Sequence, residues 1–276
     1  MNTEILAPLG DVLNTEKLID AGANALYAGL KNYSARPSFA DLSMEELEQA
    51  LSVCHSRKVK LYVAINACIS HVNEAEVKEL IKRLDAMGMD AVILSDFGLI
   101  YYACQNVTKM EIHASTLLGV FNSRTISVLQ RWGVRRIVLS TNSYLDEISR
   151  MIDAFPELDY EFVASGGICF NDNRQCELPH VYADHVYDVY CRKEYVYMCN
   201  GECEKARTIA GKHIESHEIA KLYLELGLKS FKIEGRTENP EKIINVIRKL
   251  KTALDNIVFC QSSNTHYINR MRNERK

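Results

Sequence analysis

Residues 60–96 read KLYVAINACISHVNEAEVKELIKRLDAMGMDAVILSD and contain one complete strand-helix-strand unit. KLYVAIN (60–66) and AVILSD (91–96) are short apolar runs with β-branched residues, a pattern typical of buried strands. Between them, EAEVKELIKRLDAMG (74–88) repeats its apolar residues at helical spacing. This order predicts two parallel strands joined by a crossover helix.

The same unit recurs along the chain. Six further strand-like runs are EILAP (4–8), ALYAGL (25–30), EIHAST (111–116), RIVLST (136–141), YEFVAS (160–165) and SFKIEG (230–235). Amphipathic segments lie between them, and one of these opens with Ser43 and Glu46, a predicted capping box. Eight strands with interspersed helices predict a (β/α)8 TIM-type barrel over residues 1–254. A doubly wound open sheet is the competing architecture, but the count of eight short, regularly spaced strands favours the barrel.

Length and composition agree with one barrel. The chain has 276 residues, 47% of them apolar, and a formal net charge of −3, so charge does not indicate an RNA-binding surface. The N-terminus lacks the basic and apolar regions of a signal peptide, and no apolar run approaches the ~20 residues that span a bilayer. We therefore expect a cytoplasmic protein without a membrane span. Residues 255–276 are predicted to form a flexible basic tail.

The cysteines fall into two groups. Four of the nine are scattered, and we expect them to behave as small hydrophobic residues: Cys54, Cys68, Cys104 and Cys260. The other five lie among polar neighbours in a predicted insertion after strand 7, residues 166–212, over the barrel mouth: Cys169, Cys176, Cys191, Cys199 and Cys203. Clustered thiolates favour an iron–sulfur cluster or zinc. The spacing is not the tight pair of a zinc ribbon, so zinc is the weaker alternative.

Polar residues follow the predicted strands, where a barrel places its active site. They are Asn66, Asp96, His113, Ser115, Thr141, Ser165 and Glu234. His113 could act as an acid or base or donate to a substrate oxygen, or it could simply be fixed by a backbone carbonyl. Glu234 and Arg236 could form a buried pair, or Arg236 could bind an anion. After strand two, Ser34 and Arg36 are candidates to grip a carboxylate.

Five segments together resemble the collagenase-like (U-32) peptidase family. They are EILAPLGDV (4–12), NALYAGLKNYSAR (24–36), EIHAST (111–116), GGIC…C (166–176) and SFKIEGR (230–236). The family is named for a collagenase-like peptidase, but several members are understood as iron–sulfur proteins that hydroxylate tRNA, rRNA or a quinone precursor without O₂. The resemblance implies a 4Fe-4S cluster, prephenate as the oxygen donor and, for some members, a heteromeric partner of the same family.

The resemblance also implies the cluster ligands. Cys169 and Cys176 match the family's first pair in position and spacing, and Cys203 matches the third ligand. We choose Cys199 as the fourth ligand, because C-x(3)-C spacing with Cys203 can place two sulfurs on one face of a turn or helix start. Cys191 is the alternative fourth ligand.

The chain departs from the family pattern in three ways. Arg207 stands where members often carry a second cysteine, Ser165 replaces a histidine before the first cysteine, and no cysteine lies near the KIEGR run. The fourth ligand must therefore come from residues 191–203 if the set is complete.

The resulting hypothesis is an iron–sulfur enzyme for O₂-independent hydroxylation of an aromatic or nucleobase-like substrate. The candidate catalytic residues are His113, Glu234 and Arg236, and the candidate substrate-binding residues are Ser34, Arg36, Asn66 and Ser115. The alternatives are a peptidase acting on peptides and a non-catalytic, cluster-bearing subunit of a heteromeric complex. The sequence contains no G-x-S-x-G elbow and no H-E-x-x-H zinc motif, which weakens the peptidase alternative.

Overall fold

The fold was taken from a computed structural model, which describes residues 3–35, 39–167, 195–199, 202–206, 213–215, 220 and 223–260. The main sheet closes on itself through eight parallel strands, because the strand Arg136–Val138 pairs with both Glu111–Ala114 and Asp159–Gly167. The barrel strands are β1 (Glu4–Leu9), β2 (Ala25–Gly29), β3 (Lys60–Ile65), β4 (Ala91–Leu94), β5 (Glu111–Ala114), β6 (Arg136–Val138), β7 (Asp159–Gly167) and β11 (Ser230–Ile233). The predicted (β/α)8 barrel is confirmed.

Helices cover the outside of this barrel. They are α1 (Thr15–Asp20), α2 (Met44–Ser56), α3 (Glu74–Met87), α4 (Phe97–Asn106), α5 (Ser123–Trp132), α6 (Leu145–Ala154) and α7 (Pro240–Cys260). The last helix runs to Cys260, so the predicted boundary at residue 254 was wrong. The rest of the predicted tail, residues 261–276, lies outside the described residues.

Local sequence signals fix several helix ends. The Ser43 hydroxyl accepts from the Glu46 amide at 3.2 Å, and the Glu46 carboxylate accepts from the Ser43 amide at 2.7 Å. The predicted capping box is therefore present at the start of α2. Helices α3 and α5 end at Gly88 and Gly133, which adopt positive φ angles that favour glycine.

Alternate residues of each strand face opposite sides of the barrel wall. The outward residues pack against the helices in the larger of two apolar clusters. The smaller cluster fills the barrel interior and comprises Leu6, Ala25, Tyr27, Tyr62, Ala91, Ile93 and Val138. Each fully buried side chain of leucine size contributes about 1.5–3 kcal/mol to folding. The alternation determines which polar residues at the strand ends can reach the barrel axis.

The segment that follows β7 begins and ends beside the same strand end. Strand β10 (His213–Glu215) pairs antiparallel with Ser165, Gly166 and Gly167 at the end of β7. Within the segment, β8 (Tyr195–Cys199) and β9 (Glu202–Ala206) form a two-stranded antiparallel hairpin. Both ends of the cysteine-rich segment therefore lie at the C-terminal face of the barrel.

The scattered cysteines differ from one another. Cys54 is buried, and burial raises the pKa of its thiol to about 12. Cys104 is half-buried against the core. Cys68 is exposed in the loop after β3, so the prediction that it packs as a core residue was wrong. In the part of the chain that the structure describes, every helix is too short or too polar to cross a bilayer.

Candidate functional site

Four serines lie near or just after the C-terminal ends of four consecutive strands, at the mouth of the barrel. Ser95, Ser115, Ser140 and Ser165 come from β4, β5, β6 and β7. Each preceding residue belongs to the outward apolar cluster, so strand alternation places these serines on the inward side. We call this set the serine rim. Ser115, Ser140 and Ser165 are almost completely buried.

Two hydroxyls of the serine rim are used as acceptors by their own loops. Ser115 Oγ accepts from the Leu117 amide and Ser140 Oγ accepts from the Asn142 amide, both at 3.2 Å. A hydroxyl has one hydrogen to donate in addition to its lone pairs. These two serines can therefore donate to an oxygen-rich ligand at the mouth without losing their loop contacts.

Other polar atoms beside the serine rim are buried without a hydrogen-bond partner among the described residues. They include Asn66 Oδ1, Thr141 Oγ1 and Ser143 Oγ. A buried polar atom without a partner costs about 1–3 kcal/mol, and a bound water or ligand removes this cost. Three such atoms after β3 and β6 mark a place at the mouth where further polar partners would be stabilising.

His113 lies on β5 two residues before Ser115, so it faces the same side of the barrel wall, and it is completely buried. Its Nε2 atom is 3.1 Å from Glu111 Oε2, and this contact lowers the pKa of Glu111 to about 2. Because an ionised carboxylate only accepts, Nε2 carries the hydrogen and Nδ1 carries the lone pair. Burial lowers the pKa of His113, so the ring is neutral. Nδ1 has no partner in the described part of the chain.

A network of charges fills the N-terminal half of the barrel. Arg136 donates to Glu4, and its Nη1 lies 3.3 Å from Glu161 Oε2. Lys232 Nζ lies 3.1 Å from Glu161 Oε1, and the Tyr62 hydroxyl donates to Glu4 at 2.5 Å. Burial alone would raise the pKa of Glu4, but the Arg136 guanidinium lowers it. We call these five residues the interior ion network; it joins five of the eight strands.

Arg236 lies at the mouth after β11 and holds the loop after β2. Its Nη1 atom donates to the Asp41 carboxylate and to Ser34 Oγ, and Ser34 in turn donates to Asp41 at 2.7 Å. A Cβ atom on Gly29 would overlap the guanidinium, and one on Gly10 would overlap the Arg236 carbonyl. Glycine at these two positions lets the arginine cross the ends of β1 and β2.

The structure brings some predicted site residues together and separates others. His113, Ser115 and Asn66 lie in or next to the mouth, and Ser34 lies under Arg236. The buried partner of Arg236 is Asp41, not Glu234, so the suggested Glu234–Arg236 pair is not the contact observed. Glu234 is half-buried and lies towards the neighbouring β7, near Gly166, whereas Arg236 reaches the other way across β1. The suggestion that a backbone carbonyl fixes His113 was also wrong, because Glu111 does so.

The structure describes only two of the five clustered cysteines, Cys199 and Cys203. Arg36, Cys169, Cys176 and Cys191 lie outside the described residues, so their assigned roles stay predictions. Cys199 and Cys203 lie on adjacent strands of a hairpin, where Cys199 pairs with Glu202 and Met198 pairs with Cys203. The two cysteines are thus held within a residue of the connecting turn, and not at a helix start.

Sequence reasoning missed Asp41 and the interior ion network. For Glu4, Arg136 and Glu161, a signal was present, because each is a charged residue within an apolar strand run at an inward position. Asp41 gives no such signal, since it lies in a polar loop.

A closed barrel with a polar, hydroxyl-lined C-terminal mouth defines the class of protein: a (β/α)8 barrel with its ligand site in the usual place for that fold. The model of peptidase family U32 matches residues 10–275, and the chain belongs to that family. A solved structure, that of the U32 peptidase Mk0906, superposes with a TM-score of 0.60 at 12% identity, covering 86% of this chain and 94% of the other. N-acetylneuraminate lyase from Fusobacterium nucleatum shares the fold with a TM-score of 0.55 at 14% identity, covering 95% and 80%.

The curated relatives include both RNA hydroxylation proteins and a collagenase. "tRNA hydroxylation protein P" of Escherichia coli is 31% identical over 63% of this chain, which covers 39% of that relative. The "23S rRNA 5-hydroxycytidine synthase" of the same organism is 27% identical over 92% of this chain and 40% of its own length. A "Collagenase" of Porphyromonas gingivalis is 24% identical over 94% of this chain and 67% of its own length. The chain therefore spans about two fifths of the two hydroxylation relatives.

Proposed function

We propose that this chain is a cytoplasmic iron–sulfur enzyme that hydroxylates an aromatic or nucleobase-like substrate without O₂. The observation that carries the proposal is the barrel mouth, where the serine rim and the neutral His113 offer hydrogen-bonding groups to an oxygen-rich molecule. The hydroxylation relatives support the reaction class. By family resemblance, the oxygen donor is a small molecule such as prephenate.

The proposed cluster ligands are Cys169, Cys176, Cys199 and Cys203, with Cys191 as the alternative to Cys199. The donor set fits a 4Fe-4S cluster, because it offers four soft thiolates and a fifth in reserve, and fits zinc less well. The segment that carries them starts and ends at the C-terminal face, beside the mouth. When bound, the cluster would supply one-electron chemistry that no side chain provides.

The chain's own residues would bind and orient the substrate and donor. Ser115 and Ser140 would donate to their oxygens, and His113 Nδ1 would accept a proton or a hydrogen bond from a substrate hydroxyl or ring N–H. Glu111 keeps that proton-accepting nitrogen available by holding the hydrogen on Nε2. Arg236 would orient the loop after β2, since Asp41 and Ser34 already engage its Nη1 atom.

Two alternatives differ in class. A peptidase is supported by the collagenase relative. Among the described residues, however, no group of three His, Cys, Asp or Glu side chains could hold a metal ion, and His113 pairs with Glu111 rather than with a serine or cysteine. A non-catalytic, cluster-bearing subunit would use the same cysteines and act through a heteromeric partner.

Anaerobic purification with iron and sulfide analysis tests the cluster. We expect a brown protein with about four iron atoms per chain, and Ser variants of Cys169, Cys176 or Cys203 that hold none. Comparing Cys199→Ser with Cys191→Ser identifies the fourth ligand. Mass spectrometry of RNA and quinone precursors, from cells with and without the gene, tests the reaction. A protein that takes up no iron under reconstitution, with all nine thiols titrating freely, would exclude the proposal.

A further inference from the structure

A cleft of about 400 Å³ lies between α3 and α4 and opens on the C-terminal face of the barrel. One end is formed by the loop after β3, at Ser70 and His71, and by Asp96, the residue that follows Ser95 of the serine rim. The other end reaches Gln105 and the last turn of α4. The cleft therefore opens on the same face of the barrel as the mouth, but to one side of the barrel axis.

One wall of the cleft is aromatic. Tyr101 lines the cleft together with Tyr102 and is 50% exposed, whereas Phe97, one turn earlier on α4 and outside the cleft, is 36% exposed. The indole of Trp132 packs edge-on behind both rings, with centroid distances of 5.2 Å to Tyr101 and 6.1 Å to Phe97. Trp132 thus supports the Tyr101 ring from one edge and leaves ring surface in contact with solvent. Exposed, supported aromatic rings of this kind are typical stacking surfaces.

The polar groups of the cleft favour a neutral ligand. The Lys78 ammonium lies 5.0 Å from the centroid of Tyr102 and is bonded to Glu74. The Asp96 carboxylate accepts from the Leu99 amide at 2.9 Å and adds a second negative charge. Lys78 already engages Glu74, and His71 Nδ1 lies 3.5 Å from the same carboxylate, so a phosphate in the cleft would face Asp96 without a free cation beside it among the described residues. The exposed amide of Gln105 can donate to or accept from the edge of a planar ring.

We propose that this cleft binds an unpaired base of single-stranded RNA, adjacent to the nucleotide that enters the barrel mouth. The proposal rests on the proposed function and extends it by assigning a second base site. A base has a flat face for Tyr101, an edge of donors and acceptors for Gln105, and no charge of its own. Its phosphates stay outside, away from Glu74 and Asp96. Unstacked bases of single-stranded RNA are commonly bound by stacking on aromatic side chains and by hydrogen bonds to their edges.

The chain provides its own probe for this site. Trp132 is the only tryptophan, and it contacts Tyr101 directly. Titration of the full chain with a short single-stranded oligouridylate, followed by Trp132 fluorescence and by anisotropy of a labelled oligonucleotide, measures binding without requiring catalysis. We expect saturable binding with a change in Trp132 emission.

Variants separate stacking from other contacts. Tyr101→Leu should weaken binding roughly tenfold or more, because stacking of one base contributes about that much. Tyr101→Phe keeps the ring and should bind within about threefold of the wild type. The matched control is Tyr144→Leu, since Tyr144 is also an exposed aromatic residue on this face, 72% exposed in the loop after β6. It should leave affinity unchanged.

Salt provides a second readout. Contacts to phosphate weaken as salt rises, but stacking does not release counterions. The ratio of the Tyr101→Leu and wild-type dissociation constants should therefore stay constant as salt is increased. Equal affinities for Tyr101→Leu and the wild type would overturn the proposal, as would equal losses in Tyr101→Leu and Tyr144→Leu. Thermal melting of each variant verifies that the barrel is folded.

The outcomes also separate this inference from the proposed function. If Tyr101→Leu loses oligouridylate binding but the cluster-loaded protein modifies no RNA, the base site stands and the hydroxylation of RNA fails. If RNA is hydroxylated equally by the wild type and by Tyr101→Leu, with unchanged binding, the reaction stands and the base site is rejected.

Discussion

The chemistry of His113 depends on a single neighbour. Glu111 is two residues earlier on the same strand, so the pleat places both side chains inside the barrel. Its ionised carboxylate accepts from Nε2 and leaves Nδ1 as a proton acceptor within a fully buried ring. Without Glu111, the imidazole could adopt the other tautomer. The glutamate is therefore a positioning residue, and any acid-base role of His113 depends on it.

Replacing Glu111 by glutamine should destabilise the fold in a pH-dependent way. The carboxyl group has a folded-state pKa of about 2 against an ordinary value of 4.5, so its contribution is complete above about pH 4.5 and is lost as the pH falls towards 2. We expect Glu111→Gln to cost about 1–2 kcal/mol at neutral pH, and this difference should shrink on acidification. Urea unfolding at a series of pH values measures it.

A control variant makes this result specific. Glu157→Gln removes the same charge at an exposed position and should change stability by less than about 0.5 kcal/mol at every pH. Buried His113 also favours the neutral form, so its contribution to stability falls as the pH drops below about 6.5. A Glu111→Gln penalty that stays constant from neutral pH to pH 2 would contradict the assigned contact.

At the scale of elements, Arg236 connects the ends of three neighbouring strands, β11, β1 and β2. The guanidinium crosses β1 and β2 to reach Asp41 in the loop that follows β2. In this loop the Tyr33 carbonyl also accepts a hydrogen bond from the Asn66 amide, just after β3. The loop is therefore held at the mouth by this ion pair and by several backbone hydrogen bonds, including that of the Leu42 amide to the Gly29 carbonyl.

Gly29→Ala should disrupt this arrangement. Its new Cβ atom would overlap the Arg236 guanidinium, the Asp41 carboxylate and the Ser34 hydroxyl, so the ion pair must move. We expect a loss of about 1–3 kcal/mol, the usual cost of overpacking, measured by thermal or chemical unfolding. Gly167→Ala is the matched control, because no atom of the described residues lies within 4 Å of its added Cβ atom. Equal stabilities for the two variants would show that the close packing around Arg236 is unimportant.

The sequence predicted the elements better than the contacts between them. The barrel strands are encoded by local periodicity, and the capping box of Ser43 and Glu46 by local residue types. The contact of Arg236 with Asp41 joins residues 195 positions apart, and no local pattern encodes such a pair. The serine rim was predicted in part, through Ser115 and Ser165, because barrel topology alone places strand-end residues at the mouth.

At the scale of the whole molecule, the interior ion network connects the first and last parts of the chain. Arg136 on β6 bonds to Glu4 on β1 across 132 positions and to Glu161 on the adjacent β7. Lys232 on β11 bonds to Glu161 as well. The barrel interior is thus half apolar and half ionic, with its ions in the N-terminal half and its hydroxyls at the mouth. The charges of this network therefore lie at the end of the barrel opposite the serine rim.

Arg136→Met should therefore destabilise the whole barrel. Removing the guanidinium leaves the carboxylates of Glu4 and Glu161 buried, with Lys232 as the remaining cation of the network, and breaking a buried ion pair in this way costs about 3–5 kcal/mol. Its neighbour on the exposed side supplies the control: Arg135 is half exposed and pairs with Asp159 at 3.5 Å, so Arg135→Met should cost less than about 1 kcal/mol. Guanidinium unfolding of both variants measures the difference. If Arg136→Met is no less stable than Arg135→Met, the ionic half of the interior does not hold the barrel closed, and closure must be assigned to apolar packing alone.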